Sequence, residues 1–218
     1  MKKNFVTIVF LCLFAMFPSI SAAPASYKSS LEAALSKLDS AETLSDYQQC
    51  LVEFEHISEA YANEWLPVYY SAYCNIQMIY VSSRNKNDAE AISKLSEKAM
   101  KQLEKLQSSL KADSSEVQTL IGHYYASLVA SNPSENGRKY YLQVLESYNK
   151  AIEHNPENPR PLCLRAVFCQ YMPASLIPGI NISEDKRKAS ALYAKDKKPL
   201  EQPYWGAEYL DYINITNK

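Results

Sequence analysis

Apolar side chains recur every three or four residues along most of this chain, and that period decides what it can fold into. Leu31, Ala34, Leu35 and Leu38 begin the pattern, and Tyr47, Leu51, Phe54, Ile57 and Tyr61 continue it. Trp65, Tyr69, Tyr73, Ile76 and Tyr80 follow, then Ile92, Leu95, Ala99, Leu103, Leu106 and Leu110. Residues three and four apart share one face of a helix, whereas a strand would alternate every second residue, so each run predicts an amphipathic helix. The stripes resume at Leu120, Ile121, Tyr124, Tyr125 and Leu128, over Arg138 to His154, and at Leu162, Leu164, Val167, Phe168 and Tyr171. Ala189, Leu192 and Tyr193 predict an eighth helix, and a last short one is expected over Gly206 to Ile213.

Polar punctuation supports these boundaries. Ser30 and Ser183 are candidate N-caps, and Ser45 with Gln48 and Ser115 with Gln118 have the spacing of capping boxes. Asn132-Pro133 and the run Asn155-Pro156-Glu157-Asn158-Pro159-Arg160-Pro161 mark turns, because proline fixes φ and removes a donor. Connections this short place successive helices side by side and antiparallel. The expected fold is all-α, an αα-hairpin superhelix of about four helix pairs plus a C-terminal cap.

With only 4 glycines in 218 residues, none close to another, the chain has no Gly-rich loop for a phosphate. Walker-type and dinucleotide-binding loops are excluded. Near the N-terminus, Lys2 and Lys3 precede a 13-residue apolar run from Phe5 to Phe17, Pro18 ends it, and small residues follow to Ala23. That run is shorter than the ~20 residues a membrane-spanning helix needs, so residues 1–23 read as a cleaved signal peptide and 24–218 as one helical domain. Cleavage after Ser21, Ala23 or Ala25 stays open. A periplasmic or secreted product without stable membrane insertion is expected. Without Lys2 and Lys3 the chain carries 21 basic against 24 acidic residues, which gives no reason to expect a nucleic-acid partner. Charge is uneven, however: residues 28–64 hold two lysines and eight acids, while 184–198 hold six basic residues and three acids.

Gly122-His123-Tyr124-Tyr125, Leu145, Tyr148, Ala151 and Asn155-Pro156 together resemble a tetratricopeptide repeat. Gly122 to Pro156 spans 34 residues where the repeat leaves 24, so about ten residues look inserted around Asn132 to Arg138. The chain is also similar to exported bacterial proteins with TPR-like helix pairs, through Trp65-x-Pro67-x-Tyr69-Tyr70, Asn155 to Arg160 and Trp205-Gly206. The resemblance implies a TPR-like solenoid whose concave face is lined by the first helix of each pair. It places Tyr70, Cys74 and Gln77, then Glu116, Thr119 and His123, then Arg160, Cys163 and Gln170 on that face, and a protein or peptide partner against it.

Catalytic chemistry finds little support. His56, His123 and His154 fall on different predicted helices, and Glu53-x-x-His56 has no second such pair, so it reads as a solvated acidic face and no metal or other cofactor is expected. Nucleophile, phosphoryl-transfer and glycosidase signatures are missing. Cys50, Cys74, Cys163 and Cys169 follow the leader, and an antiparallel hairpin leaves a Cys50–Cys74 bridge open. The sequons at Asn181 and Asn214 matter only in a eukaryotic secretory pathway, whereas the leader and the resemblance point to bacteria. The expectation is therefore a non-enzymatic exported scaffold for a protein or peptide, with a small-molecule-binding component of an envelope transport system as the alternative.

Overall fold

The computed structural model describes residues 26–84, 88–197 and 199–214; the expected leader lies outside the described residues. Eight α-helices follow in order among them: α1 (Tyr27–Leu38), α2 (Leu44–Ala60), α3 (Leu66–Arg84), α4 (Ala89–Gln107), α5 (Ser114–Ser131), α6 (Pro133–His154), α7 (Pro159–Cys169) and α8 (Ile182–Tyr193). Short 3-10 helices cover Ala174–Leu176 and Ala207–Tyr212. The chain is all-α over the described residues, as its periodicity predicts.

Most helix starts differ from expectation by a few residues, because a cap is set by which side chain reaches the free N–H groups three residues on. Ser26, not Ser30, caps α1. Thr43 and Asp46 form a reciprocal capping box at α2, two residues ahead of Ser45. Asp113 accepts from the Glu116 N–H at α5, and Asn181 from the Glu184 N–H at α8. Leu110 is fully exposed beyond the end of α4, so the stripe stops at Leu106. The residues that look inserted around Asn132 form no loop. Asn132 caps α6 and Pro133 opens it, where a missing N–H costs nothing, so the insertion lengthens α6 at its start to 22 residues.

Helices adjacent in sequence pack as pairs, α3 with α4, α5 with α6 and α7 with α8, while α1 packs on α2 and α2 on α3. The first helices of the three pairs also touch, α3 against α5 and α5 against α7, forming one inner row. Burial follows this layering. α3 is buried from Leu66 through Ile79, whereas α4 buries only Ile92, Ala99, Leu103 and Leu106. A helix apolar or small all round is one covered on both sides, and a narrow stripe marks an outer helix. Gly122 permits one close approach: a Cβ there would lie 2.5 Å from the Tyr148 ring. Arg165 ties the last pair, donating from Nε and Nη2 to the two oxygens of Asp185 on α8 at 2.7 Å and from Nη1 to Asn149 on α6 at 2.6 Å.

What covers the inner row is the chain itself. Residues 199–214 run back across α3, α5 and α7. Trp205 is buried, its ring centroid 4.6 Å from Tyr73 and 5.4 Å from His123. Ile213 is buried with Leu162, Cys163, Ala166 and Ala189. All four cysteines of the described residues are free thiols, Cys50 and Cys74 included.

Candidate functional site

Eight of the nine residues expected on the concave face lie on α3, α5 and α7, and Gln170 caps the end of α7, yet they divide into three groups. Two point elsewhere. Thr119 donates to the Ser115 carbonyl one turn back on its own helix, and burial pushes the Cys74 thiol well up beside Cys50 and Glu55 of α2. Tyr70 stacks on Phe54, with centroids 5.1 Å apart. The other six meet beneath residues 199–214.

Glu116 and Arg160 anchor that meeting. Arg160 Nη2 donates to Glu116 Oε1 at 2.6 Å and Arg160 Nε to both carboxylate oxygens at 3.0 Å, with both side chains buried. Burial alone would lower the guanidinium's pKa, but the Glu116 carboxylate raises it above its usual value. Asn158 Nδ2 adds a donor to Glu116 Oε1 at 2.8 Å, and the Tyr69 hydroxyl donates to Oε2 at 3.0 Å. Trp205 Nε1 then donates to the Tyr69 hydroxyl at 2.9 Å, which links the C-terminal segment to the pair. A buried pair supplied with this many partners avoids the cost of a stranded charge. Gly206 follows with φ +105°, and a Cβ there would meet the Tyr193 hydroxyl at 2.5 Å, so only glycine turns the chain at this point.

Past that turn, Gln77 donates to the Tyr209 hydroxyl at 2.9 Å, and its amide lies 3.1 Å from His123 Nε2. The Cys163 thiol lies 3.8 Å from the Gly206 carbonyl. Gln170 donates to the Tyr212 carbonyl at 2.9 Å and accepts from the Asn214 N–H at 3.0 Å. Burial holds the His123 pKa down at about 3, so the ring is neutral at physiological pH.

Two cavities flank the 3-10 helix Ala207–Tyr212, sharing Gln77, Tyr80, Arg84, Tyr209 and Tyr212. The first, of about 490 Å³, opens toward α5, α6 and α7. Ala126, Val129, Ala130, Leu164, Val167, Phe168 and Met172 supply apolar walls, Tyr148 and His123 add aromatic surface, and Gly137 leaves room on α6. Tyr171 and Tyr212 also line it and are 77% and 57% exposed, so two large aromatic rings stand in solvent beside an apolar hollow. Among the described residues Arg84 is its one charged lining residue. Concave, mostly apolar and sparsely polar is the usual character of a small-molecule site, and ~300–1,000 Å³ is the usual volume.

Of these walls, only Gln77 and His123 were among the residues expected from sequence. Continuing α3 from Gln77 by one and two turns gives Tyr80 and Arg84, so helical spacing alone carried the signal for those two. Side-chain types able to ligate a metal are present in His123, Met172 and the tyrosines. His123 Nε2, however, already faces Gln77 at 3.1 Å and the Tyr209 hydroxyl at 3.4 Å. Among the described residues no three His, Cys, Asp or Glu side chains cluster to hold a metal ion.

The fold has a counterpart among solved structures. The HusA haemophore from Porphyromonas gingivalis superposes with a TM-score of 0.74 at 25% sequence identity, over 87% of this chain and 91% of that one. The likeness extends over nearly the whole of both. No protein-family model and no curated protein sequence matches the chain. That neighbour is a binding protein of helical build, and the all-helical architecture here agrees with it.

Proposed function

We propose that this protein is a non-enzymatic, exported binding protein whose ligand is a flat, largely apolar, carboxylate-bearing molecule of the haem class. The observation that carries this reading is the 490 Å³ cavity, with its aromatic and aliphatic walls and Arg84 as the one charged residue among the described ones that line it. A tetrapyrrole presents two broad apolar faces and carboxylates on one edge, so it would slide between the walls with its carboxylates toward the guanidinium and solvent. Likeness to a haemophore over most of both chains supports the same ligand class. A TPR-like origin of the helix pairs and a leader removed near residue 23 belong to this reading, and no helix among the described residues is long and apolar enough to cross a membrane. A peptide partner on the inner row would first have to displace residues 199–214, which is why the small-molecule alternative is favoured over the scaffold.

Absorbance titration of the mature protein with haem tests the proposal. A saturable shift of the haem band at one equivalent, weakened in Arg84→Ala, is expected. Absence of a saturable shift would overturn it.

A further inference from the structure

The second cavity has the opposite chemistry. It encloses about 640 Å³ between α1, α2, α3 and the C-terminal segment. Tyrosines recur in its walls, with Tyr47 from α2, Tyr73 and Tyr80 from α3 and Tyr209 from the C-terminal segment, beside aliphatic residues of α1 such as Leu35 and Leu38. Among the described residues three carboxylates, Asp39, Glu42 and Glu208, line it against the guanidinium of Arg84. Both parts matter. Ring faces are negative at the centre of their π-systems, so an organic cation enclosed by them is attracted without needing a hydrogen bond. The carboxylates add a negative field that excludes the anionic ligand argued for the first cavity. That field extends into the stretch 28–64, where eight acids face two lysines.

Tyr70 also lines the cavity and is 1% exposed, with the Tyr204 backbone beside its hydroxyl. Burial also shapes the walls: the Tyr47 phenol is pushed up to about 12, so it remains neutral and presents a ring and a hydroxyl, not a phenolate.

We propose that this cavity is a second binding site, distinct from the haem-class site, for an organic ammonium cation held by tyrosine rings and neutralised by Asp39, Glu42 and Glu208. Choline is the probe, because its quaternary nitrogen demands an aromatic cage and its hydroxyl can pair with a phenol. Its neutral carbon isostere, 3,3-dimethyl-1-butanol, has the same shape without the charge. Titration calorimetry on the mature protein is expected to show saturable choline binding at least tenfold tighter than that of the isostere. Tyr47→Ala and Glu42→Gln should each weaken choline at least threefold while leaving haem titration unchanged, since neither residue borders the first cavity. The converse variant, Gly137→Trp, lines only the first cavity and should leave choline binding intact. Retention on phosphatidylcholine vesicles would identify a lipid headgroup as the source of the ammonium, and choline binding without retention a free one. Equal affinity for choline and the isostere, or choline binding indifferent to both Tyr47→Ala and Glu42→Gln, would overturn the proposal whatever the outcome with haem.

Discussion

The two cavities share one wall and differ in nearly everything else. Gln77, Tyr80, Arg84, Tyr209 and Tyr212 face both, yet among the described residues the α5 to α7 side adds aliphatic and aromatic surface with no carboxylate, and the α1 to α3 side adds Tyr47 and Tyr73 with three carboxylates. The difference shows that a stack of helix pairs does not present one uniform groove. The inner row supplies the concavity, and the returning segment, anchored through Trp205 and the Glu116–Arg160 pair, divides it into two chemically opposed halves.

Breaking the divider should produce the largest effect. Glu116→Ala strands the buried Arg160 guanidinium, and loss of one partner of such a pair costs ~3–5 kcal/mol. Urea unfolding should record that loss, and both ligand titrations should weaken together because both cavities lose a wall. A loss below about 1 kcal/mol would mean that the divider is held elsewhere.

Acid should act through the apolar side. His123 is held at about 3, below the ~6.5 of an unfolded chain, so the unfolded state binds more protons between those values and stability falls as pH drops through that window. At its steepest this one group contributes about 1.4 kcal/mol per pH unit. Other carboxylates titrate there too, so the test is the difference between wild type and His123→Gln, whose acid limb should be shallower. Identical limbs would show that the ring is not kept neutral by burial.

Gly122→Ala tests the packing behind the same wall. The new methyl meets the Tyr148 ring at 2.5 Å, and Tyr148 lines the first cavity, so a loss of ~1–3 kcal/mol should accompany weaker haem binding with choline unaffected. Smaller still, Arg84→Ala should weaken haem by roughly threefold to tenfold, about 1 kcal/mol, without changing the unfolding midpoint, since Arg84 is exposed and lies at the end of α3.

Sequence reasoning reached the helices because each hides one face, and a 3.6-residue period is visible without knowing what covers it. Glu116, His123 and Arg160 were placed on one face by the tetratricopeptide resemblance and not by the period. Neither reached their mutual burial, because the Glu116–Arg160 contact joins residues 44 apart and the segment that covers them returns from beyond residue 199. Trp205-Gly206 was legible only as a motif; that the glycine turns the chain so that the indole N–H meets Tyr69 depends on a φ of +105°. The cavity walls at Val129, Gly137 and Met172 carry no pattern of their own, since a wall is defined by the space beside it.

Gly137 offers the most direct test of the central claim. It lies within α6 and lines the first cavity, and nothing stands within 4 Å of a Cβ built there. Replacing a helical glycine removes backbone freedom from the unfolded chain, so Gly137→Trp should keep or raise stability by about 0.5 kcal/mol while its indole occupies the cavity. Haem titration of this variant beside wild type should show a saturable shift in wild type and at least a tenfold loss in the variant at an unchanged melting temperature. Equal haem affinity in the two proteins would contradict the assignment of this cavity as the ligand site.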